Sequence, residues 1–287
     1  MNVNIIKEII MILNKWSNQS IKVLIILMFP LFVSCNEKKV TEPEQEPEPL
    51  PGADKILFIG SSYFSYNNLT GMFATLTQAN NKNIFIDYSI VNGTYLEYHA
   101  SNPSTLDKIN KRDWDYVVLQ GVGTLMAYPD VFTDHPAYPA LVTLHNKIST
   151  NSESTKMMFC LPWAYEDGMA WAQGWTDLYD DMQKKIYKNT LAYADEIGFI
   201  IAPVGMAWYR VLEEKNYPLH YLHLNDWNHP SLRGSYLTAC VIYSTIFQES
   251  SSGIEYYADI PKNEALYFQD VASSTVLDSL QLWNIVK

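Results

Sequence analysis

Apolar and polar positions change their spacing from segment to segment along this chain. From Lys55 onward, short apolar runs alternate with stretches of helical periodicity. The runs predict strands over 55–60 (KILFIG, closed by Gly60), 84–91, 115–120, 156–161 and 199–203. Helices are predicted over 68–80, where Leu69, Met72, Phe73 and Leu76 share one face, and over 104–111, 137–148, 175–197, 205–215, 231–247 and 262–283. Strands that are apolar throughout need cover on both faces. Strands separated by helices pair in parallel. The pattern therefore predicts a three-layer α/β/α domain around a mainly parallel five-stranded sheet. Sites in such sheets form beyond the carboxyl ends of the strands. The segments to search are 60–65, 92–95, 120–124, 162–166 and the loop before the helix at 231.

The first 53 residues follow a different pattern. Residues 1–34 carry basic positions and then the apolar stretch Val23–Val33, which suits the core of a signal peptide better than a membrane span. The stretch ends Leu31-Phe32-Val33-Ser34-Cys35, which resembles the lipobox of bacterial lipoproteins. That resemblance implies lipidation of Cys35, a membrane as partner through the lipid, and an address in the bacterial cell envelope, facing the periplasm or the cell surface. An uncleaved anchor with an ordinary cysteine is the alternative. Residues 35–53 (CNEKKVTEPEQEPEPLPGA) are polar, acidic and proline-rich, and are expected to form an extended tether. The folded domain is expected over 54–287.

Composition narrows the function. Hydrophobic residues are 48% and aromatic ones 14% of the chain, as in a globular domain with a substantial core. A formal net charge of −11 argues against nucleic acid, which needs clustered Lys and Arg. Three cysteines form no disulfide framework; Cys160 and Cys240 lie in apolar runs and read as small buried thiols. Oligomeric state is left open.

Two motifs carry chemistry. Gly60-Ser61-Ser62-Tyr63 follows the first strand, where a serine hydroxyl can stand at the mouth of the sheet beside free amides. A turn or helix-capping serine would look the same. Near the C-terminus lies Asp226-Trp227-Asn228-His229-Pro230-Ser231. Histidine can take the proton of a serine, and a carboxylate on the other ring nitrogen fixes the tautomer. In their order and positions the two motifs resemble the SGNH (GDSL-like) hydrolase superfamily. Ile59–Tyr63 is similar to its first block, and Asp226–Ser231, with Gly234, Tyr236 and Leu237, to its last.

The resemblance covers about residues 55–250 and implies a flavodoxin-like sheet and a serine esterase working through an acyl-enzyme. Ser62 would be the nucleophile, His229 the base and Asp226 its orienter. The oxyanion would meet the amides of Ser62 and of Gly93, in Asn92-Gly93-Thr94, and no cofactor or metal is implied. Two departures stand out. Ser61 replaces the family's Asp or Asn, and Gln120-Gly121-Val122-Gly123 lacks the Asn that supplies a third donor; Gln120 is the nearest amide that could substitute.

The remaining candidates have bland and sharp readings. His220, His223, Asp226 and His229 recur every three residues, yet that spacing faces no common side of a helix or strand, so no metal site is expected. Trp163, Tyr165, Trp171 and Trp175 follow the fourth strand and are either packing or a sugar-binding platform; Trp163 and Tyr165 are the candidate substrate contacts. Glu166 and Asp167 read as a solvated loop. The expected substrate is a carbohydrate O-acyl ester, such as an acetylated glycan. The rival is a weak or inactive SGNH-fold lipoprotein that binds glycans without turning them over.

Overall fold

The apolar runs at 56–60, 116–120 and 157–160 become strands buried from both sides, while the run at 84–90 forms an edge strand that is mostly half-buried. A computed structural model describes residues 48–127, 137–169 and 178–285. Cys35, the signal-like segment, most of the tether, Trp171 and Trp175 lie outside the described residues. The strands are β1 (Asp54–Gly60), β2 (Ile84–Ile90), β3 (Tyr116–Gln120), β4 (Lys156–Cys160) and β5 (Ile200–Ala202). All neighbours pair in parallel, in the order β2-β1-β3-β4-β5. Ile56–Ile59 and Val117–Leu119 are fully buried at the centre of the sheet.

The helices are α1 (Ser62–Ser65), α2 (Leu69–Ala79), α3 (Leu96–Ser101), α4 (Pro103–Asn110), α5 (Gly123–Met126), α6 (Ala137–Asn151), α7 (Tyr179–Ile197), α8 (Val204–Glu214), α9 (Leu232–Phe247) and α10 (Lys262–Leu277). Helices α2, α8, α9 and α10 pack together, and α3, α4, α6 and α7 form the other set, so the sheet is the middle of three layers. Cys160 and Cys240 are buried and unpaired, and burial pushes both thiols up, Cys240 to about 12.

Three short helices were outside the periodic signal: α1, α3 and α5, each too brief to repeat an apolar face. The last helix ends at Leu277, where the pattern predicts 283. The chain then turns back, and Ile201 donates its N–H to Trp283 O at 2.9 Å. This covers the outer edge of β5, which would otherwise offer unpaired backbone groups.

The chain leaves β1 toward β2 on one side and returns to β3 on the other. A crevice opens where the order reverses, beyond the carboxyl ends of β1 and β3. The loops after those strands and the segment 217–231 meet there. Among the described residues no helix is long and apolar enough to cross a membrane.

Candidate active site

Ser62 opens α1 immediately beyond β1 and stands half-buried at the crevice. Its position depends on its neighbours. Ser61 donates its N–H to Gln120 Oε1 at 2.9 Å, across from β1 to the end of β3. Gly60 permits that approach, since a Cβ there would lie 2.9 Å from the same oxygen. The Gly60 carbonyl accepts from His99 Nε2 at 2.9 Å and from the N–H of Val91 at 3.0 Å. His99 is buried, and burial lowers its pKa, so it holds the strand end as a neutral donor.

The second motif forms a tight hairpin. His223 and Pro230 make an antiparallel bridge, and Leu224 N–H donates to His229 O at 2.7 Å. At the tip Trp227 adopts φ +69°, a left-handed conformation that is strained for a bulky side chain. That turn folds Asp226 back onto its own segment. Asp226 Oδ1 accepts from the N–H groups of Asn228 and His229 at 3.1 and 2.9 Å, and Oδ2 meets His229 Nδ1 at 2.6 Å. Burial would raise the Asp226 pKa. The bonds from the His229 N–H, the His229 ring and the Asn228 N–H outweigh it and hold the carboxyl below its usual range.

With Nδ1–H donated to Asp226, His229 Nε2 is an acceptor, and it lies 2.9 Å from Ser62 Oγ. Ser62, His229 and Asp226 thus form one continuous hydrogen-bonded chain, brought together over |i−j| = 167.

Gly93 lies in the turn after β2 at φ +73°, a conformation that favours glycine. Its level is set by the pairing of Gly60 with Ile90 and by the bond from Ser65 Oγ to Asn92 Oδ1 at 2.8 Å. Among the described residues neither the Ser62 nor the Gly93 N–H donates to an acceptor of the protein, so both can meet an anion. Gln120 does not match the expectation of a third donor. It is 4% exposed, its oxygen is held by the N–H and hydroxyl of Ser61, and its Nε2 donates to Gly121 O at 2.6 Å. Buried at the end of β3, it supports the Ser61–Ser62 turn from below.

Trp163 is also placed otherwise than a sugar platform requires. It is 3% exposed, sandwiched between Tyr63 (4.5 Å between centroids, 21°) and Trp208 (4.1 Å, 2°). Its Nε1 donates to Asn228 O at 2.9 Å, and the Tyr63 hydroxyl donates to Asn228 Oδ1. The stack is a pillar beneath the Asp226–His229 turn. Tyr165 keeps partial exposure, with its hydroxyl against those of Tyr63 and Thr124. Tyr66 stacks on the His229 ring at 4.3 Å and 15°.

The other histidines divide the work of holding the hairpin, and Glu166 is not the solvated residue expected. Its side chain is 11% exposed, and its carboxylate accepts from the N–H of His220 and pairs with His220 Nδ1 at 2.7 Å. Its own N–H donates to Trp227 O at 2.8 Å. A carboxylate six residues beyond β4, on the loop facing the motif, was the available signal. Asn67 was also missed: its Nδ2 donates to Pro230 O at 3.0 Å and to Ser235 Oγ at 2.9 Å, tying the segment after Ser62 to the segment after His229. Among the described residues no group of three His, Cys, Asp or Glu side chains could hold a metal ion.

His223 is fully buried, with Nε2 donating to Ala164 O at 2.9 Å. Burial lowers its pKa from 6.5 to about 4. A depressed histidine pKa means that folding favours the neutral ring. Its contribution is complete above about pH 6.5 and is lost as the pH falls toward 4. Between pH 7 and 4.5 this should remove about 2–3 kcal/mol of stability. Urea unfolding of the protein and of His223→Asn at both pH values checks it: the variant should lose that much less on acidification. Parallel losses in the two proteins would rule His223 out as the titrating group.

No protein-family model matches the chain, and no curated protein does. Solved structures do. A DUF4886 family protein from Bacteroides uniformis superposes with a TM-score of 0.66 at 18% identity, over 78% of this chain and 95% of that one. A protein assigned to the SGNH hydrolases from Slackia heliotrinireducens gives 0.52 at 22%, over 66% and 97%. The chain has the SGNH hydrolase fold. A protein assigned as a GDSL-like lipase from Parabacteroides merdae shares this SGNH architecture, with a TM-score of 0.50 at 18% identity over 70% of this chain and 99% of that one. At these identities the likeness is one of fold. Within the SGNH fold, the Ser62 turn after β1 and the Asp226–His229 hairpin before α9 occupy the crevice where the strand order reverses.

Proposed function

We propose that the protein is a serine esterase that works through an acyl-enzyme on Ser62. The observation that carries this reading is the chain Ser62 Oγ–His229 Nε2 at 2.9 Å and His229 Nδ1–Asp226 Oδ2 at 2.6 Å. Ser62 Oγ attacks the acyl carbon while its proton passes to His229 Nε2. Asp226 stabilises the imidazolium and holds the tautomer. The tetrahedral oxyanion is met by the N–H groups of Ser62 and Gly93. Collapse expels the alcohol, which takes the proton from His229. Water then repeats the sequence on the acyl-enzyme and releases the acid.

The expected substrate is an O-acyl ester of a carbohydrate, acetyl foremost. Tyr95 and Trp227 are 53% and 42% exposed on the two loops that flank Ser62, and aromatic faces suit sugar rings. Reaction with a fluorophosphonate and a screen of short aryl acetates and acetylated oligosaccharides test the reading. Absence of both labelling and hydrolysis would sink it. That outcome would favour the second reading, a glycan-binding protein with little turnover, which the engaged Gln120 amide supports.

Anchoring belongs to the same proposal. Its motive is Cys35 at the end of the apolar stretch, followed by the Pro- and Glu-rich tether. In a bacterial host, a metabolic lipid probe should label the protein and leave Cys35→Ala unlabelled; equal labelling of both would refute lipidation at Cys35.

A further inference from the structure

A cleft of about 470 Å³ opens beside Ser62, between α1, the start of α2 and the carboxyl end of β2. Its polar lining is Ser65, Asn68, Thr70 and Asn92, and its apolar lining includes Tyr88 and Val91. No charged side chain lines it, although the chain as a whole carries −11.

The cleft is joined to the site through the backbone. Ser65 shares a helical turn with Ser62, and Asn92 precedes Gly93. The two side chains bond each other at 2.8 Å and form one wall. Tyr88 sits opposite Phe58 on the edge strand β2 and is 55% exposed. Asn67 and Asn68 both adopt left-handed φ, +54° and +50°, a conformation worth keeping only where the surroundings impose it. The bonds from Asn67 to Pro230 and Ser235 impose it here, and they set Asn68 at the cleft.

We infer that this cleft is a subsite for an uncharged oligosaccharide, holding the sugar units next to the one whose ester faces Ser62. Sugar hydroxyls both donate and accept, and side-chain amides and hydroxyls answer both roles without charge. An exposed tyrosine ring offers a face to the apolar side of a pyranose. A fatty acyl chain would call for a continuous apolar wall, and a uronate or sulfated glycan would call for a cation. The inference rests on the esterase reading for the ester's position, but the binding can be read without turnover.

The test uses Ser62→Ala protein and calorimetry with xylohexaose, cellohexaose and mannohexaose, with hexagalacturonate as the charged control. At least one neutral hexasaccharide should bind. Tyr88→Ala and Asn68→Gly, each added to Ser62→Ala, should weaken that binding about tenfold. The glycine keeps the left-handed backbone while removing the amide. In the protein with Ser62 intact, the same two substitutions should leave hydrolysis of a short aryl acetate within about twofold, because that ester does not reach the cleft. Binding that survives both substitutions, equal binding of hexagalacturonate, or no binding of any neutral hexasaccharide overturns the inference. A protein that binds the neutral probe and hydrolyses no ester overturns the esterase reading instead.

Discussion

Ser62→Ala and His229→Ala are each expected to lower kcat on an aryl acetate by about 10⁴–10⁶-fold, and the double variant should fall little further. The reason is the single chain of bonds from Ser62 through His229 to Asp226. Without Ser62 there is no acyl-enzyme for His229 to serve. Without His229 the hydroxyl keeps its proton, and a neutral hydroxyl is a poor nucleophile. Once either is gone, the second loss removes nothing that was still acting. Fluorophosphonate labelling should vanish in Ser62→Ala and slow greatly in His229→Ala. Steady-state kinetics on purified variants, with mass spectrometry of the labelled protein, make the measurement. A Ser62→Ala protein with full activity would remove the assignment, and multiplicative losses in the double variant would show that the two residues act separately.

Trp163→Ala should cost about 3–5 kcal/mol of stability, a typical loss for truncating a buried aromatic side chain. For a domain of this size that corresponds to a fall in Tm of roughly 10 °C. The indole is sandwiched between Tyr63 and Trp208, and its Nε1 holds Asn228 O at 2.9 Å. Removing it leaves a cavity under the turn that aims His229 at Ser62, so kcat should fall as well. Trp163→Phe should recover most of the stability, while Asn228 O loses its donor. Thermal unfolding with kinetics on a short aryl acetate distinguishes this from a substrate contact. A variant with unchanged Tm and raised KM on oligosaccharide esters alone would mean that Trp163 touches sugar after all.

The sheet was legible because burial on both faces writes itself locally as an unbroken apolar run. ILFIG, within KILFIG, and YVVLQ are buried throughout in two interior strands. Edge strand β2 was legible for a different reason: β-branched and aromatic residues recur there although most of it is only half-buried. Helices α1, α3 and α5 were not legible. Four or six residues give no period, and α3 is held by His99, whose partners Gly60 and Thr105 lie in other elements.

At the site, residue type and chain position pointed to Ser62, Asp226 and His229, since only a few side chains can perform that chemistry and the sheet directs them to its carboxyl edge. The Asp226–His229 contact could be anticipated because it spans three residues in one turn. Direction was another matter. Gln120 was expected to face Ser62, yet the Ser61 N–H captures its oxygen and the Gly121 carbonyl its nitrogen.

The sequence by itself determined the alternation of strands and helices, the parallel sheet, the place of the crevice and the residue types able to do chemistry in it. These depend on periodicity and on what each side chain can donate, accept or bury. The tertiary structure alone decided which way those side chains point. Trp163 turned inward to stack between rings 100 residues before it and 45 after it in the chain, on Tyr63 and Trp208. Glu166 found His220, and Asn67 found Pro230, across |i−j| of 54 and 163. A one-dimensional pattern records how apolar a position is. It does not record the partner that arrives from another element, and a buried polar group must take whichever partner packing brings to it.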